Sequence, residues 1–151
     1  MNWYYNVSKD ISKLPDAIAY YESEYTIAKR ECDIKGIIEK EAARLPGIVE
    51  NRFSQLQEIE AILDLLNNEL KRLRSIHYRR YTEHYNRQLT SRDCERFVET
   101  ENDVHDMNLL VGEFALVRNK WLAISKGLDQ KQWQITNITK LRVAGLDDAT
   151  I

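Results

Sequence analysis

The segment Leu70–Arg87, LKRLRSIHYRRYTEHYNR, holds the residues best suited to chemistry, because basic and aromatic side chains are interspersed along it. Six Lys or Arg residues stand there against one acidic residue. On a continuous helix, four arginines would share an arc of about 100°, and we call them the basic stripe: Arg72, Arg79, Arg80 and Arg87. Three tyrosines would lie beside it: Tyr78, Tyr81 and Tyr85. Arginines that follow phosphates, next to rings on which bases stack, are typical of sequence-tolerant single-strand binding.

The residues that could contact a nucleic acid are the basic and aromatic side chains of this segment: Lys71, Arg72, Arg74, Arg79, Arg80, Tyr81, Tyr85 and Arg87. A structural interpretation competes with this one, because tyrosines at helical spacing usually pack at a core and helical arginines usually face solvent or pair with Glu. The segment Asp93–Asp106 holds six acidic residues against one basic residue, and in a neighbouring chain it could be that pairing partner. The residues alone leave both interpretations open.

Motifs for catalysis and for tight metal binding are absent from the sequence. It contains no G-x-x-x-x-G-K phosphate loop, G-x-G-x-x-G turn, G-x-S-x-G elbow or H-E-x-x-H zinc helix. His77 and His84 lie two helical turns apart, which is too far for one shared metal ion. Cys32 and Cys94 form no closely spaced pair and are expected to be reduced thiols. We therefore expect no enzyme, no catalytic residue, no metal and no cofactor.

The composition predicts an all-α fold. The 151 residues include five Gly and two Pro, and 43% are hydrophobic and 30% charged; no period-2 alternation is sustained. One helical domain over 13–145 is expected, between an N-terminal tail, 1–12, and a C-terminal tail, 146–151. Neither a membrane-spanning run nor a signal peptide is recognised, which favours a cytoplasmic protein.

Four helices are expected along the domain. The first should begin near Lys13 or Pro15 and end or kink at Arg44–Gly47, because Pro46 disfavours helical geometry at the residue before it. The second carries apolar residues spaced 3, 4, 3, 4, 3, which is a heptad seam: Leu56, Ile59, Leu63, Leu66, Leu70 and Leu73. It should extend to about Leu89.

A loop near 88–92 should separate the second helix from a short third one, which Thr90 or Ser91 would cap. The fourth helix should run to about Arg142, through Gly127, and carries a second heptad seam: Met107, Leu110, Phe114, Val117, Trp121, Ile124 and Leu128. The two seams predict an antiparallel helical hairpin. Apolar residues beyond the second seam have no partner in that hairpin and indicate an oligomer interface: Trp133, Ile135, Ile138 and Leu141.

The C-terminal stretch KQWQITNITKLR places a basic residue, an aromatic residue, two isoleucines, a leucine and an arginine at fixed intervals: Lys131, Trp133, Ile135, Ile138, Leu141 and Arg142. A basic, tyrosine-containing helix and an acidic linker precede it. In this order of features, over roughly residues 70–145, the chain resembles the UvsY family, the recombination mediators of T-even-type phages.

The resemblance implies a non-enzymatic, ring-forming protein, encoded by a phage and acting in the cytoplasm of the bacterial host. Such a protein binds single-stranded DNA, displaces or remodels the single-strand-binding protein and helps load a RecA-like recombinase. The family's DNA contacts centre on a Lys-x-Arg element, to which Arg79 and Arg80 are the nearest positions. Its C-terminal helix joins protomers and corresponds to the predicted interface residues. The alternative is a helical scaffold or adaptor protein without DNA binding.

Overall fold

The computed structural model describes residues 2–85 and 87–146. Over these residues the chain forms five α-helices, one 3-10 turn and no strand: α1 Trp3–Lys9, the 3-10 turn Ile11–Lys13, α2 Leu14–Glu31, α3 Ile38–Glu83, α4 Ser91–Glu99 and α5 Asn102–Val143. The predicted all-α fold with long helices is confirmed. Residues 147–151, most of the predicted C-terminal tail, lie outside the described residues.

The helices α3 and α5 form the predicted antiparallel hairpin. Leu45, early in α3, clusters with Ile135, late in α5, while Arg74, late in α3, contacts Asn108, early in α5. Both heptad seams turn inward. Most of their residues lie in one core cluster, which includes Leu56, Ile59, Leu63, Leu66, Leu70, Phe114, Val117 and Trp121, while Ile124 and Leu128 belong to a second cluster with Leu45 and Ile135. The pairing follows from the seams, because a narrow apolar stripe is fully buried only against a matching stripe.

The helix α2 packs along the hairpin, so the middle of the molecule is a three-helix bundle. The rings of Tyr21 and Tyr25 lie 5.5 and 6.0 Å from the ring of Trp121, which is fully buried. The Tyr21 hydroxyl donates to the Glu58 carboxylate at 2.6 Å; burial and then this hydrogen bond raise the pKa of Tyr21. Buried aromatic side chains dominate core energetics, so Trp121 anchors α2 to the hairpin.

Residues 2–12 do not form the tail that was predicted for 1–12. The Asn2 side chain caps α1 by accepting from the Tyr5 backbone N–H at 3.0 Å. Trp3 and Val7 lie one helical turn apart, and both are buried in the core. The prediction was wrong because α1 has seven residues, too few for a helical period to be recognised, although packing stabilises it.

The turn between α2 and α3 comes earlier in the chain than predicted. Gly36 lies in that turn with a φ of +79°, a left-handed conformation that glycine adopts without strain. Pro46, which was expected to end the first helix, lies inside α3. The predicted boundary at 44–47 is therefore wrong, because packing on both sides overrides a single helix-breaking residue.

The helix α3 ends at Glu83, well before the predicted end near Leu89. Because α4 begins at Ser91, the connection between the two helices spans 84–90 rather than 88–92. Arg87 therefore lies beyond the helix that holds the rest of the basic stripe. The four arginines do not form one continuous stripe, and this part of the prediction is wrong.

The short helix α4 and the long helix α5 form as predicted. The Thr90 side chain caps α4 by accepting from the Asp93 backbone N–H at 3.2 Å. The helix α5 runs without interruption through Gly127 and ends next to the predicted Arg142. A Cβ atom at position 127 would lie 2.9 Å from the Cys32 Sγ. The glycine therefore serves the close approach of the C-terminal end of α2 rather than a turn.

Candidate nucleic-acid interface

Three acidic residues lie where α4 ends and α5 begins. Glu99 is the last residue of α4, Glu101 is the N-cap residue of α5 and Asp103 lies in the first turn of α5. We call these three residues the acidic corner. Acidic groups are favourable at the start of a helix, because the helix dipole places partial positive charge there. Their carboxylates face α3 and meet its basic residues.

Three basic side chains of α3 each pair with one member of the acidic corner: Arg74 with Glu99, His77 with Asp103, and Arg80 with Glu101. The first pair is bidentate, because Arg74 Nε and Nη2 donate to the two Glu99 oxygens at 2.7 and 3.3 Å. In the second, His77 Nε2 lies 2.7 Å from Asp103 Oδ1, and this contact lowers the pKa of Asp103. Towards its C-terminal end, α3 has basic residues where it earlier had leucines. The reason is that this part of α3 faces the acidic corner of the same chain.

Tyr81 belongs to the same contact. Its hydroxyl donates to the Glu101 carboxylate, and this hydrogen bond raises the pKa of Tyr81. Its ring lies 5.8 Å from the ring of Tyr85 and 5.6 Å from the ring of Phe97. We call these three rings the aromatic tip. Tyr85 is 56% exposed and Phe97 is also exposed, so two rings of the aromatic tip are accessible for stacking.

Three other predicted DNA contacts lie on the outward side of α3, and we call them the exposed basic face: Lys71, Arg72 and Arg79. The two arginines are seven positions apart and so share one side of the helix. The Arg79 side chain is 77% exposed, and its acidic partner Glu83 is 4.0 Å away. Arg72 Nε donates to Glu69 at 2.9 Å. Ion pairs at such exposed positions contribute little to stability, so phosphate could replace either carboxylate.

The predicted DNA-contacting residues therefore fall into separate environments. Arg74, Arg80 and Tyr81 contact the acidic corner, while the exposed basic face is open to solvent. Tyr85 and Arg87 follow the end of α3, and both are exposed. Whether any of these residues contacts DNA stays a prediction.

A cleft of about 700 Å³ separates α3 from α4 at this end of the hairpin. Its α3 wall includes Arg74, Tyr78 and Arg79, and its α4 wall includes Glu95 and Glu99. One wall is thus basic and aromatic, and the other is acidic. The negative charge of the acidic wall opposes the entry of an anionic ligand.

The four predicted interface residues of α5 do not share one environment. Trp133 is 63% exposed and Leu141 is also exposed, as expected of residues that join protomers. Ile135, in contrast, is 8% exposed and packs with Leu45 of the same chain, and Ile138 is half-buried. The prediction that Ile135 is unmatched was wrong, because α3 begins before the predicted boundary and covers it.

An apolar groove of about 580 Å³ lies beside Ile135. We call it the distal groove and define it by its α3 residues: Ala42, Pro46, Val49 and Phe53. Val49 and Phe53 are both exposed. Trp133 lies two positions from Ile135 and therefore on the opposite side of α5. The end of the hairpin remote from the acidic corner thus presents apolar surface on two sides.

A buried ion cluster, which sequence reasoning missed, joins α2 to α3. The Arg52 side chain is 3% exposed; its Nε donates to Glu31 and its Nη1 to Glu24, each at 2.7 Å. A hydrogen bond from Gln55, followed by the contact with Arg52, lowers the pKa of Glu24. The two glutamates are seven positions apart and share one face of α2. That spacing was the available signal for a basic residue facing them.

Lys131 is also buried, and it caps the C-terminal end of α2. Its Nζ donates to the Glu31 backbone carbonyl at 2.7 Å and to the Glu41 carboxylate at 2.6 Å. The last carbonyls of a helix lack partners within the helix, and a cation there also complements the helix dipole. The hydrogen bond from Lys131 lowers the pKa of Glu41. One lysine of α5 therefore links α2 and α3.

Groups that would indicate other functions are not found in the described part of the chain. No cluster of three or more His, Cys, Asp or Glu side chains there could hold a metal ion. Neither 2–85 nor 87–146 contains a helix long and apolar enough to cross a membrane. Cys32 and Cys94 are free thiols.

Comparison with known proteins found no matching family model, no matching curated protein and no matching solved structure.

Proposed function

We propose that the protein is a non-enzymatic, self-associating protein that binds single-stranded DNA and acts as a recombination mediator. In this role it helps a RecA-like recombinase to load onto DNA covered by single-strand-binding protein, during phage recombination and repair. The observation that carries the proposal is that the exposed basic face and the aromatic tip both lie at the same end of the hairpin. The resemblance of residues 70–145 to the UvsY family supports the mediator role and these two protein partners.

The binding chemistry divides between the two surfaces. The exposed basic face neutralises phosphates, which releases counterions and favours association without regard to sequence. Tyr85 and Phe97 offer rings on which unpaired bases stack, a contact that every base can make. The combination favours single strands, because the bases of a duplex are already stacked on one another.

Self-association gives weak individual contacts a larger effect. A few cations in each chain bind a strand weakly, but several protomers on one strand bind with higher avidity. Trp133, Leu141 and the distal groove supply apolar surface for that association. A contact between Trp133 of one chain and the distal groove of another would join two different patches, and repeated head-to-tail contacts of that kind form closed rings or open filaments.

Binding of labelled oligo-dT to the wild-type protein over a series of salt concentrations tests the proposal. We expect saturable binding, with the logarithm of the association constant falling linearly against the logarithm of salt concentration. Sedimentation should give a mass well above the 17.8 kDa of one chain. A duplex of the same length is the control and should bind more weakly. A lack of saturable oligo-dT binding at moderate salt would contradict the proposal.

A second candidate is a helical adaptor or scaffold protein without DNA binding. The specific observation in its favour is that the acidic corner pairs with Arg74, His77 and Arg80, which accounts for part of the basic segment without a ligand. Under this hypothesis the apolar surfaces at the other end still bind a protein. An oligomer that binds no oligo-dT at any salt concentration would favour the adaptor over the mediator.

A further inference from the structure

We propose that the acidic corner masks part of the DNA-binding surface, with Glu99 and Glu101 in the positions that phosphates take when DNA is bound. Arg74, Arg80 and Tyr81 are then cryptic contacts, which DNA reaches by displacing these carboxylates. The inference rests on the proposed function, because a mask of this kind acts only against a polyanion.

The two carboxylates bind their partners as phosphates would. The Arg74 guanidinium donates through two nitrogens to the two oxygens of Glu99, and the same planar fork fits two oxygens of a phosphate. Glu101 Oε1 accepts from both Arg80 and the Tyr81 hydroxyl. A phosphate oxygen can accept the same pair of hydrogen bonds. Exchange therefore keeps every donor satisfied.

The masked pairs are exposed enough to exchange. The Arg74 and Arg80 side chains are 40% and 52% exposed, and ion pairs in such positions contribute little to stability. Arg52, whose side chain is 3% exposed, shows the contrast, since opening a buried pair leaves a charge without solvent or partner. Arg52 thus stabilises the fold, whereas Arg74 and Arg80 are available to bind a ligand.

The side chains of Glu99 and Glu101 can rotate away from their partners without displacing the buried residues of α4 and α5. The helix α4 has nine residues, of which Cys94 and Val98 are buried, so it belongs to the less stable part of the molecule. Glu101 is the N-cap residue of α5, but its side chain makes no capping hydrogen bond. Rotation of that side chain is therefore enough to release Arg80. Release frees the side chain of Arg80, which lies about 100° around α3 from Arg79, and so widens the basic surface of the helix.

The test is oligo-dT binding by the double variant Glu99→Gln/Glu101→Gln. Glutamine keeps the size and the hydrogen-bonding oxygen of each side chain but removes the charge that holds the arginines. We expect affinity to rise by about three- to tenfold, which is the effect of removing two competing surface ion pairs. The slope of the logarithm of the association constant against the logarithm of salt concentration, which we call the salt slope, should become steeper by about 0.7 for each additional phosphate that the protein neutralises.

A control variant separates local unmasking from a change in net charge. Asp106→Asn/Glu113→Gln removes the same charge from two exposed positions of α5 outside the acidic corner. This control should raise the affinity for oligo-dT by less than Glu99→Gln/Glu101→Gln does, and it should leave the salt slope unchanged. If both double variants behave alike while the wild-type protein binds, the mask is overturned and the proposed function stands. If neither the wild-type protein nor the variants bind, both proposals are overturned.

Hydrogen exchange of the wild-type protein provides a measurement that needs no folded variant. Saturation with oligo-dT should lower the protection of backbone amides in α4, because the ion pairs that hold its C-terminal end are exchanged for phosphate. Unchanged or increased protection of α4 in the DNA complex would overturn the mask, whatever the variants show.

Discussion

Burial decides which charged residues serve the fold and which can serve a ligand. Arg52 is buried and pairs with both Glu24 and Glu31, and loss of both carboxylates would leave its charge buried and unpaired. Arg79 is exposed and held by a single distant carboxylate. The same residue type thus has a structural role in the middle of the hairpin and a proposed binding role at its end.

Tyr85→Ala tests whether the aromatic tip stacks on bases. We expect weaker oligo-dT binding with a nearly unchanged salt slope, because a ring contributes about 1–3 kcal/mol per stacked base and displaces few counterions. Tyr5 is a matched control, since it is similarly accessible but lies on α1. Equal losses in Tyr5→Ala and Tyr85→Ala would show that the effect is not specific to the aromatic tip.

Lys131→Met tests the buried cap of α2. Near neutral pH the free energy of unfolding of the variant should be about 2–3 kcal/mol lower than that of the wild-type protein. The reason is that Glu41 and the Glu31 carbonyl lose the hydrogen-bond donor that they share. The pKa of Glu41 is lowered in the folded protein. Its contribution to stability is therefore present at pH values above its ordinary pKa of 4.5 and is lost as the pH falls through the pKa of the folded state. The difference between variant and wild type, measured by urea unfolding, should therefore narrow in acid. A difference that is constant with pH would argue against the Glu41 contact.

Helix type and pairing followed from the sequence, while several helix ends did not. The two heptad seams sufficed for the hairpin, because their period is set by the backbone and most of their residues are buried in the described structure. The helix ends depended on tertiary contacts, which a local sequence pattern does not predict. Packing carries α3 through Pro46, and α1 is held by Trp3 and Val7.

The candidate site was predictable in composition but not in its partners. The basic segment and the acidic segment were both evident as charge blocks, and the pairing between them, which was considered as an alternative between neighbouring chains, occurs within one chain. The difference arises because the short connection after Glu83 and the short helix α4 bring the start of α5 back beside α3. A chain reversal of that kind depends on three-dimensional packing rather than on charge pattern.

Gly127→Ala tests the close approach of α2 and α5. We expect a loss of roughly 1 kcal/mol or more in unfolding free energy, because a Cβ atom would lie 2.9 Å from Cys32 Sγ. Gly112→Ala is the matched control: it lies in the same helix with nothing within 4 Å of its Cβ position, so it should stabilise by up to about 1 kcal/mol. The loss at position 127 should shrink in a Cys32→Ala background. Thermal or urea unfolding distinguishes these outcomes, and similar stabilisation by both glycine changes would contradict the contact.

At the scale of the whole molecule, the hairpin separates two kinds of surface. Charge and exposed rings gather where α3 meets α4, and exposed apolar groups gather around Trp133 and the distal groove. The rigid bundle between them, anchored by Trp121 and Arg52, holds the two ends apart. One end can therefore join protomers while the other remains free to bind a strand.

Trp133→Asp/Leu141→Asp tests the proposed association surface. Both residues are exposed, so the change should leave the helical content intact while it places charge in an apolar contact, which is poorly tolerated. We expect sedimentation to give a smaller mass and oligo-dT affinity to fall through lost avidity. Leu116→Asp, an exposed leucine in the middle of α5, is the control. An unchanged mass in the double variant would exclude this surface as the interface.

The most direct test of strand binding by the exposed basic face is the salt dependence of oligo-dT binding in Arg72→Ala/Arg79→Ala, compared with Arg30→Ala/Arg44→Ala. The two variants lose the same charge from exposed positions, but only the first pair lies on the exposed basic face. We predict weaker binding by the first variant to every sequence tested, with a salt slope reduced by about 0.7 for each phosphate that is no longer neutralised. The second variant should retain nearly the wild-type slope. An Arg72/Arg79 variant that stays folded and oligomeric, yet binds oligo-dT with wild-type affinity and slope, would contradict the claim that this face holds the strand.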